Sequence, residues 1–277
     1  VFSHGQRSSP RPPHALVNVC MGACLPCIPG AVVRTELQIV LEDEASTSAT
    51  ELSIPSAGLA APLLVFGHAF SRDRSDHVSF FQALLPRVPL GRVVMYDARG
   101  HGTCRGWQGR GRDQFLWRSL ALDMMHVVRA RGCKGHELLL GGESMGSATA
   151  LWAALRHPEA VRGLVLYRLP AAWELRAARR PAMRRQGEAQ TDSREREVYL
   201  GRADADLPAP RELRGLAVPT LIVQGPSDAA HPVASAEKLA GLLPDCRLIV
   251  ARSEFGKQWV LRQHVVAWLQ ERFCEQK

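Results

Sequence analysis

The chain has 277 residues, of which 46% are hydrophobic and 22% are charged, a composition typical of one large α/β domain with a sizeable core. No run of about 18 apolar residues occurs, so we expect no membrane-spanning helix and no stable membrane insertion. The formal net charge is +8, but the arginines are interspersed with nearly as many acidic residues and no nucleic-acid-binding module is recognisable, so we expect no nucleic-acid partner.

The seven cysteines are mostly scattered and do not have the spacing of a disulfide framework. A reduced, cytoplasmic setting is therefore the default expectation. Cys20, Cys24 and Cys27 have the C-x₃-C-x₂-C spacing of an iron–sulfur loop, but they precede the first predicted strand instead of following one. We therefore predict neither a metal site nor a cofactor.

The chain is predicted to begin with a leader and an antiparallel ribbon. Residues 1–30 contain five prolines and no acidic residue, which is typical of an extended or disordered segment preceding a domain at residues 31–277. Thr35–Leu41 and Glu51–Ile54 are rich in β-forming residues. We expect them to pair, with Glu44–Thr50 as the turn.

Short apolar runs then alternate with helical segments. The predicted strands are Leu63–Gly67, Arg92–Tyr96, Glu137–Gly141, Arg162–Tyr167, Thr220–Gln224 and Arg247–Ala251. The predicted helices are His77–Leu85, Arg112–Arg131, Ser144–Arg156, Ser235–Leu243 and Gln258–Phe273. This alternation predicts an α/β fold with a mostly parallel central sheet and helices on both of its faces.

The sequence ELLLGGESMGSATAL, Glu137–Leu151, predicts a buried strand, a very tight turn and a helix. Gly142 and Gly146 flank Ser144 at two residues on each side, where a Cβ atom would collide with the neighbouring strand or helix if the turn is sharp. Ser144 would then lie at a helix N-terminus, where free N–H groups and the helix dipole favour negative charge. This pattern is typical of a nucleophile; the alternative is a glycine-rich turn with an incidental serine.

Two further motifs precede this turn at suitable distances. LLVFGHAF, Leu63–Phe70, is a strand ending in Gly-His, and VVMYDARGHG, Val93–Gly102, is a strand ending in Asp-Ala-Arg-Gly-His-Gly. With these three motifs in order, the chain resembles the α/β-hydrolase superfamily from about Thr35 to the C-terminus. The resemblance implies an α/β-hydrolase fold with the nucleophile elbow GESMG, whereas the reaction depends on the site itself.

About fifty residues separate the strand ending at Tyr167 from the one starting at Thr220, too many for a simple crossover. In the resembling family a helical cap lies at this place, so we expect a cap insertion at about residues 169–212. Its arginines are predicted to form a solvated face, with contact to an anionic substrate as the alternative. These residues are Arg176, Arg179, Arg180, Arg184 and Arg185.

A serine nucleophile needs oxyanion donors and an acid–base pair. Met145 follows the serine and would offer its backbone N–H, and by similarity to the family the second donor is assigned to Phe70. The resemblance also places the acid at Asp228, in the Gly-Pro-Ser-Asp that follows a predicted strand. His68 and His101 lie in the family's turn motifs and are expected to be structural hydrogen-bonding residues.

The base is not fixed by the sequence. In the family it lies in the loop after the last strand, but residues 252–257 contain no histidine. His231, three residues after Asp228, and His264, in the final predicted helix, are the candidates. A chain without a complete triad is the third possibility.

Two classes of function follow from these residues. The first is a serine hydrolase of esterase, lipase or C–C hydrolase type, acting on a small-molecule acyl substrate through Ser144, Asp228 and His231; an acyltransferase would use the same serine. The second is a catalytically weak ligand-binding protein that keeps the fold but lacks a competent base. The serine turn and Asp228 favour the enzyme, and the histidine-free loop favours the binder.

Overall fold

The computed structural model describes residues 30–57, 61–132, 138–251 and 257–274, with only the backbone described for residues 257–261 and 274. Nearly all of the predicted leader, including its three clustered cysteines, therefore lies outside the described residues. Among the helices that are described, none is both long and apolar enough to cross a bilayer.

Within these ranges a single sheet has eight strands in the order β1-β2-β4-β3-β5-β6-β7-β8. They are β1 Val33–Val40, β2 Ser46–Ser53, β3 Leu63–Gly67, β4 Arg92–Tyr96, β5 Leu138–Glu143, β6 Val161–Tyr167, β7 Thr220–Gln224 and β8 Cys246–Val250. β1 pairs with β2, and β2 with β4, in antiparallel fashion, whereas β4, β3, β5, β6, β7 and β8 run parallel. The predicted fold class, with its mostly parallel sheet and antiparallel ribbon, is confirmed.

Helices cover both faces of this sheet. They are α1 Val78–Leu84, α2 Trp117–Ala130, α3 Met145–Arg156, α4 Trp173–Glu188, α5 Ser193–Asp204, α6 Pro210–Leu213, α7 Val233–Leu242 and α8 Lys257–Cys274. Side chains alternate along the strands: Val65 packs in the core that contains α2 and α3, and Leu64 in the core that contains α1 and α8. Strands buried on both faces read as continuous apolar runs, which is why their positions could be predicted.

The predicted turn at Glu44–Thr50 is wrong, because β2 already begins at Ser46. The turn lies earlier, where the Leu41 N–H donates to the Ala45 carbonyl at 2.6 Å. Thr47, Ser48 and Thr50 of the predicted turn are small and polar, but they are buried and hydrogen-bonded. For example, Thr47 Oγ1 donates to the Asp97 carbonyl at 2.6 Å.

The predicted helix Arg112–Arg131 is interrupted. Arg112–Phe115 forms a 3₁₀ turn, Leu116 is extended with ψ near 139°, and α2 starts at Trp117. Ser144 likewise lies outside the helix predicted to begin at it, because α3 starts one residue later.

The geometry of a parallel sheet brings the carboxyl ends of its strands to one edge. The segments that follow β3, β5, β6 and β7 therefore meet there, and open α/β sheets bind ligands at this edge. Ser144 follows β5 and Asp228 follows β7.

Candidate active site

Ser144 is the single residue between β5 and α3, and its backbone has φ 53° and ψ −106°. A positive φ is uncommon for a residue with a side chain and costs about 1–3 kcal/mol, so the rest of the turn must hold it. The Ser144 N–H donates to the Tyr167 carbonyl at 2.9 Å, and the Gly146 N–H donates to the His68 carbonyl at 3.2 Å. The turn is thus fixed to β6 on one side and to the segment after β3 on the other.

The glycines of this turn are required by close backbone contact. A Cβ atom on Gly146 would lie 2.1 Å from the Gly67 carbonyl oxygen, and one on Gly142 would lie 2.2 Å from the Gly146 carbonyl carbon. Both obstacles are backbone atoms, which cannot rotate away. The reason proposed from the sequence for these two glycines agrees with the contacts.

His231 lies within hydrogen-bonding distance of Ser144. Its Nε2 is 3.0 Å from Ser144 Oγ, and its Nδ1 is 3.2 Å from both carboxylate oxygens of Asp228. A neutral imidazole with its proton on Nδ1 can donate to Asp228 while Nε2 accepts from the serine hydroxyl. The three side chains named from the sequence are therefore in contact in series.

The loop that carries Asp228 and His231 is held by its own backbone and by Gln224, the last residue of β7. Asp228 Oδ1 accepts from the Ala230 and His231 N–H groups at 2.7 and 2.8 Å. The buried Gln224 side chain donates to the His231 carbonyl at 2.9 Å and accepts from the Leu169 N–H at 2.8 Å. Gln224 therefore links the histidine loop to the segment after β6.

Arg168 provides a positive charge beside this pair. Its Nη2 is 3.1 Å from Asp228 Oδ2 and 3.1 Å from His231 Nδ1, and its Nη1 is 3.5 Å from Glu143 Oε1. Burial and the Arg168 charge lower the pKa of His231 and outweigh Asp228, which acts in the opposite direction. The neutral imidazole is thus favoured.

The carboxylate of Asp228 is held in its ionised form. Partial burial acts to raise its pKa, but hydrogen bonds from the side chain and backbone of His231 lower it to about 2. Asp228 is therefore available as an acceptor for the imidazole N–H throughout the neutral range.

His264, the other candidate base, lies on α8 at a different place. It is partly buried, and its pKa is lowered by burial and by Arg247 of β8. His231 lines the cavity over Ser144, whereas His264 is not among the described residues that line it. The histidine-free loop at residues 252–256 lies outside the described residues.

Met145 and Phe70, the candidate oxyanion donors, both line this cavity. Met145 is the first residue of α3, so its N–H has no acceptor within the helix. Phe70 follows β3, and its ring packs edge-on against Tyr199 of α5 at a centroid distance of 5.0 Å. Their role as donors stays a prediction.

His68 and His101 are bonded to backbone groups, in agreement with the structural role expected for them. His68 Nε2 accepts from the Ala98 N–H at 2.9 Å, and its Nδ1 is 2.7 Å from the Ala69 carbonyl. His101 Nδ1 is 3.0 Å from the Arg99 carbonyl. Burial lowers the pKa of both rings, so both are neutral.

The cavity over Ser144 has a volume of about 770 Å³, and its lining includes Arg176, Met183 and Tyr199 of α4 and α5, within the segment 169–212. One prediction for this segment is wrong: Arg176 is 4% exposed and does not belong to a solvated face. Its guanidinium stacks on the Trp117 ring at 4.0 Å and donates to the carbonyls of Ala205 and Arg202. Burial of an arginine beneath an aromatic ring depends on tertiary packing, which the charge pattern of α4 does not reveal.

Sequence reasoning missed Arg168, Gln224 and Arg202. Arg168 and Gln224 lie at the carboxyl ends of β6 and β7, and this position was the available signal. Arg202 lies one helical turn after Tyr199 on α5 and also lines the cavity. Their partners come from other elements, so their roles follow only from the assembled fold.

Comparison with known proteins agrees with this architecture. The family model described as serine aminopeptidase, S33, matches residues 88–184. Esterase YjfP of Escherichia coli (strain K12) is 32% identical over 104 residues, which cover 35% of this chain and 41% of the esterase. The match thus spans less than half of that curated relative.

Solved structures match over most of the chain. A hydrolase from Pseudomonas aeruginosa PA01 superposes with a TM-score of 0.66 at 20% identity, covering 85% of this chain and 98% of that one. A thermophilic esterase from Thermogutta terrifontis gives a TM-score of 0.65 at 20% identity, with coverages of 86% and 98%. The chain therefore has the α/β-hydrolase fold. The fold that its sequence motifs predicted is confirmed.

We expect Gly146→Ala to destabilise the protein by about 2 kcal/mol or more, because the new methyl group would overlap the Gly67 backbone. Chemical denaturation measures the free energy of unfolding. Gly241→Ala is the matched control: Gly241 is exposed near the end of α7 with open space around its Cβ position. That change should be neutral or stabilise by up to about 1 kcal/mol. Equal effects of the two changes would contradict the close contact.

Arg168→Met should raise the pKa of His231, because a nearby positive charge disfavours the imidazolium ion. NMR titration of the His231 ring measures this directly and does not depend on any activity. Arg162→Met, at an exposed position in β6, is the control and should leave the titration unchanged. A downward shift in Arg168→Met would show that the arginine acts mainly by orienting Asp228.

Proposed function

We propose that this protein is a serine hydrolase that cleaves an ester or a related acyl substrate through an acyl-enzyme on Ser144. The observation that carries the proposal is the contact series from Ser144 Oγ to His231 Nε2 at 3.0 Å and from His231 Nδ1 to Asp228 at 3.2 Å. The hydrolase and esterases among the similar proteins support the same class.

In the proposed first step, Ser144 Oγ attacks the acyl carbon while His231 Nε2 takes the hydroxyl proton. Asp228 accepts from Nδ1 and stabilises the imidazolium ion that forms. The tetrahedral intermediate then collapses, and His231 gives its proton to the leaving group. In the second half, water attacks the acyl carbon while His231 Nε2 takes its proton. The second tetrahedral intermediate then collapses, His231 returns the proton to Ser144 Oγ, and the acid is released.

The negative charge of the tetrahedral intermediate needs fixed donors near the serine. Met145 N–H at the start of α3 and Phe70 N–H after β3 are the proposed pair. Both residues line the cavity beside Ser144, and the first has no acceptor within its helix. The partial positive charge at the N-terminus of α3 acts in the same direction.

The weak-binder alternative depended on a missing base. His231 supplies a candidate from the loop after β7, so a histidine after β8 is not needed for a complete proton pathway. The strain at Ser144 also supports use of the serine, because a positive φ has a cost that a merely structural turn could avoid. We therefore favour the enzyme.

A fluorophosphonate probe should label the wild-type protein and fail on Ser144→Ala, because the probe requires an activated serine hydroxyl. Peptide mapping by mass spectrometry locates the label. Ser193→Ala, at an exposed position at the start of α5, is the control and should label normally. Absence of labelling in folded wild-type protein at high probe concentration would favour the binding protein.

His231→Ala should lower kcat for 4-nitrophenyl acetate by about 10³-fold or more, since loss of a triad histidine costs up to about 10⁶-fold. His264→Ala is the matched control and should keep most of the activity. Thermal unfolding verifies that both variants are folded. If His264→Ala is the inactive variant and His231→Ala retains activity, the base has been assigned to the wrong histidine.

A further inference from the structure

The cavity over Ser144 is rich in positive charge. Five arginines line it: Arg72, Arg168, Arg176, Arg179 and Arg202. Only two acidic side chains of the described residues, Asp76 and Glu143, line it with them. The number of guanidinium groups that line the cavity therefore exceeds the number of carboxylates.

Three of these arginines have partners in the protein. Arg72 Nε is 3.5 Å from Asp76, and Arg168 pairs with Asp228 and Glu143. Arg176 is buried against an aromatic ring and donates to backbone carbonyls. The side chains of Arg72, Arg168 and Arg176 therefore already have partners within the folded protein.

Arg179 and Arg202 differ from the other three. Within the described residues, neither side chain donates to a carboxylate or to a carbonyl, although both line the cavity. The Arg202 guanidinium stacks on the Phe70 ring at 4.2 Å, an arrangement that leaves the N–H edge of the group available. An arginine without an acceptor in a partly enclosed site is costly, because it loses water without gaining a partner.

The charges also act on one another. Burial lowers the pKa of Arg202, and the neighbouring Arg179 lowers it further. Burial likewise lowers the pKa of Arg176; Asp206 acts against this lowering, and Arg202, Arg180 and Arg179 add to it. An anion between these groups would relieve the repulsion.

The position of Arg202 connects this charge to the reacting centre. Phe70, on whose ring Arg202 stacks, lies on the segment after β3 and lines the same cavity as Ser144. Arg202 and Tyr199 lie one turn apart on α5, and both contact the Phe70 ring. A group bound by Arg202 would therefore occupy the same cavity as an ester at Ser144.

We infer that the substrate of Ser144 carries an oxyanion group, a carboxylate or a phosphate, which Arg179 and Arg202 of the helical insertion bind. Arginine is suited to this task because its planar fork donates two parallel hydrogen bonds to such groups. The inference rests on the proposed function, for which it specifies the class of substrate.

Two pairs of esters test the inference. Mono(4-nitrophenyl) adipate and 4-nitrophenyl hexanoate differ by a carboxylate in place of a methyl group on the acyl side. The esters 4-carboxyphenyl hexanoate and phenyl hexanoate place the carboxylate on the leaving group instead. In at least one pair, the wild-type enzyme should prefer the anionic ester by about tenfold or more in kcat/KM.

Arg179→Gln and Arg202→Gln should each lower this preference by about fivefold or more. Arg185→Gln, at an exposed position on α4 outside the cavity, removes the same charge and should preserve it. Two results would overturn the inference: a wild-type preference near one in both pairs, or an equal loss in Arg185→Gln. The second result would show that the preference comes from long-range charge alone.

Inhibition of hexanoate ester hydrolysis at constant ionic strength separates the two oxyanions. Stronger inhibition by adipate supports a carboxylate, and stronger inhibition by inorganic phosphate supports a phosphate group.

Failure of the proposed function would look different. If no ester is hydrolysed faster than by Ser144→Ala, the hydrolase proposal fails, whereas the anion site can still be measured. Calorimetric titration of adipate and of phosphate into the wild type and into Arg202→Gln then decides. Binding to the wild type that weakens at least about tenfold in the variant supports the site, and equal or absent binding overturns it.

Discussion

The contact between the backbones of Gly67, Gly142 and Gly146 is the constraint on which the site depends. It brings the start of α3 against the end of β3, closer than any side chain would permit. Ser144 takes its positive φ because the chain must turn within one residue to make this contact. The serine hydroxyl, the N-terminus of α3 and the segment bearing Phe70 therefore face a common cavity.

The central sheet could be predicted because its strands are short apolar runs buried on both faces. β3, β4 and β7 have the bounds expected from their sequences. The start of β2 could not be predicted in this way, since its small polar residues resemble a turn until Asp97 supplies an acceptor for Thr47. The break in the helix at Leu116 could not be predicted either, because the helical pattern of apolar residues continues across it.

In the candidate site, too, some residues could be named from the sequence, whereas their contacts follow only from the assembled fold. Ser144 and Asp228 were named from local motifs, whereas His231 was one of two candidate histidines, chosen for its position three residues after Asp228. That His231, and not His264, lies beside the serine depends on where β7 and α8 stand in the assembled sheet. The surroundings of Arg168 and the burial of Arg176 depend on side chains far away in the sequence, so no local pattern could reveal them.

Asp228 and His231 lie on one short loop, three residues apart, and backbone hydrogen bonds from that loop hold the carboxylate. Any displacement of the loop carries both side chains together, so the spacing within the pair is preserved while its separation from Ser144 changes. Gln224 ties the loop to the segment leading into the insertion, through Leu169 on one side and His231 on the other. Because Gln224 bonds to both segments, a shift of the chain at Leu169 would strain the bond that holds the His231 carbonyl, so the two segments are expected to move together.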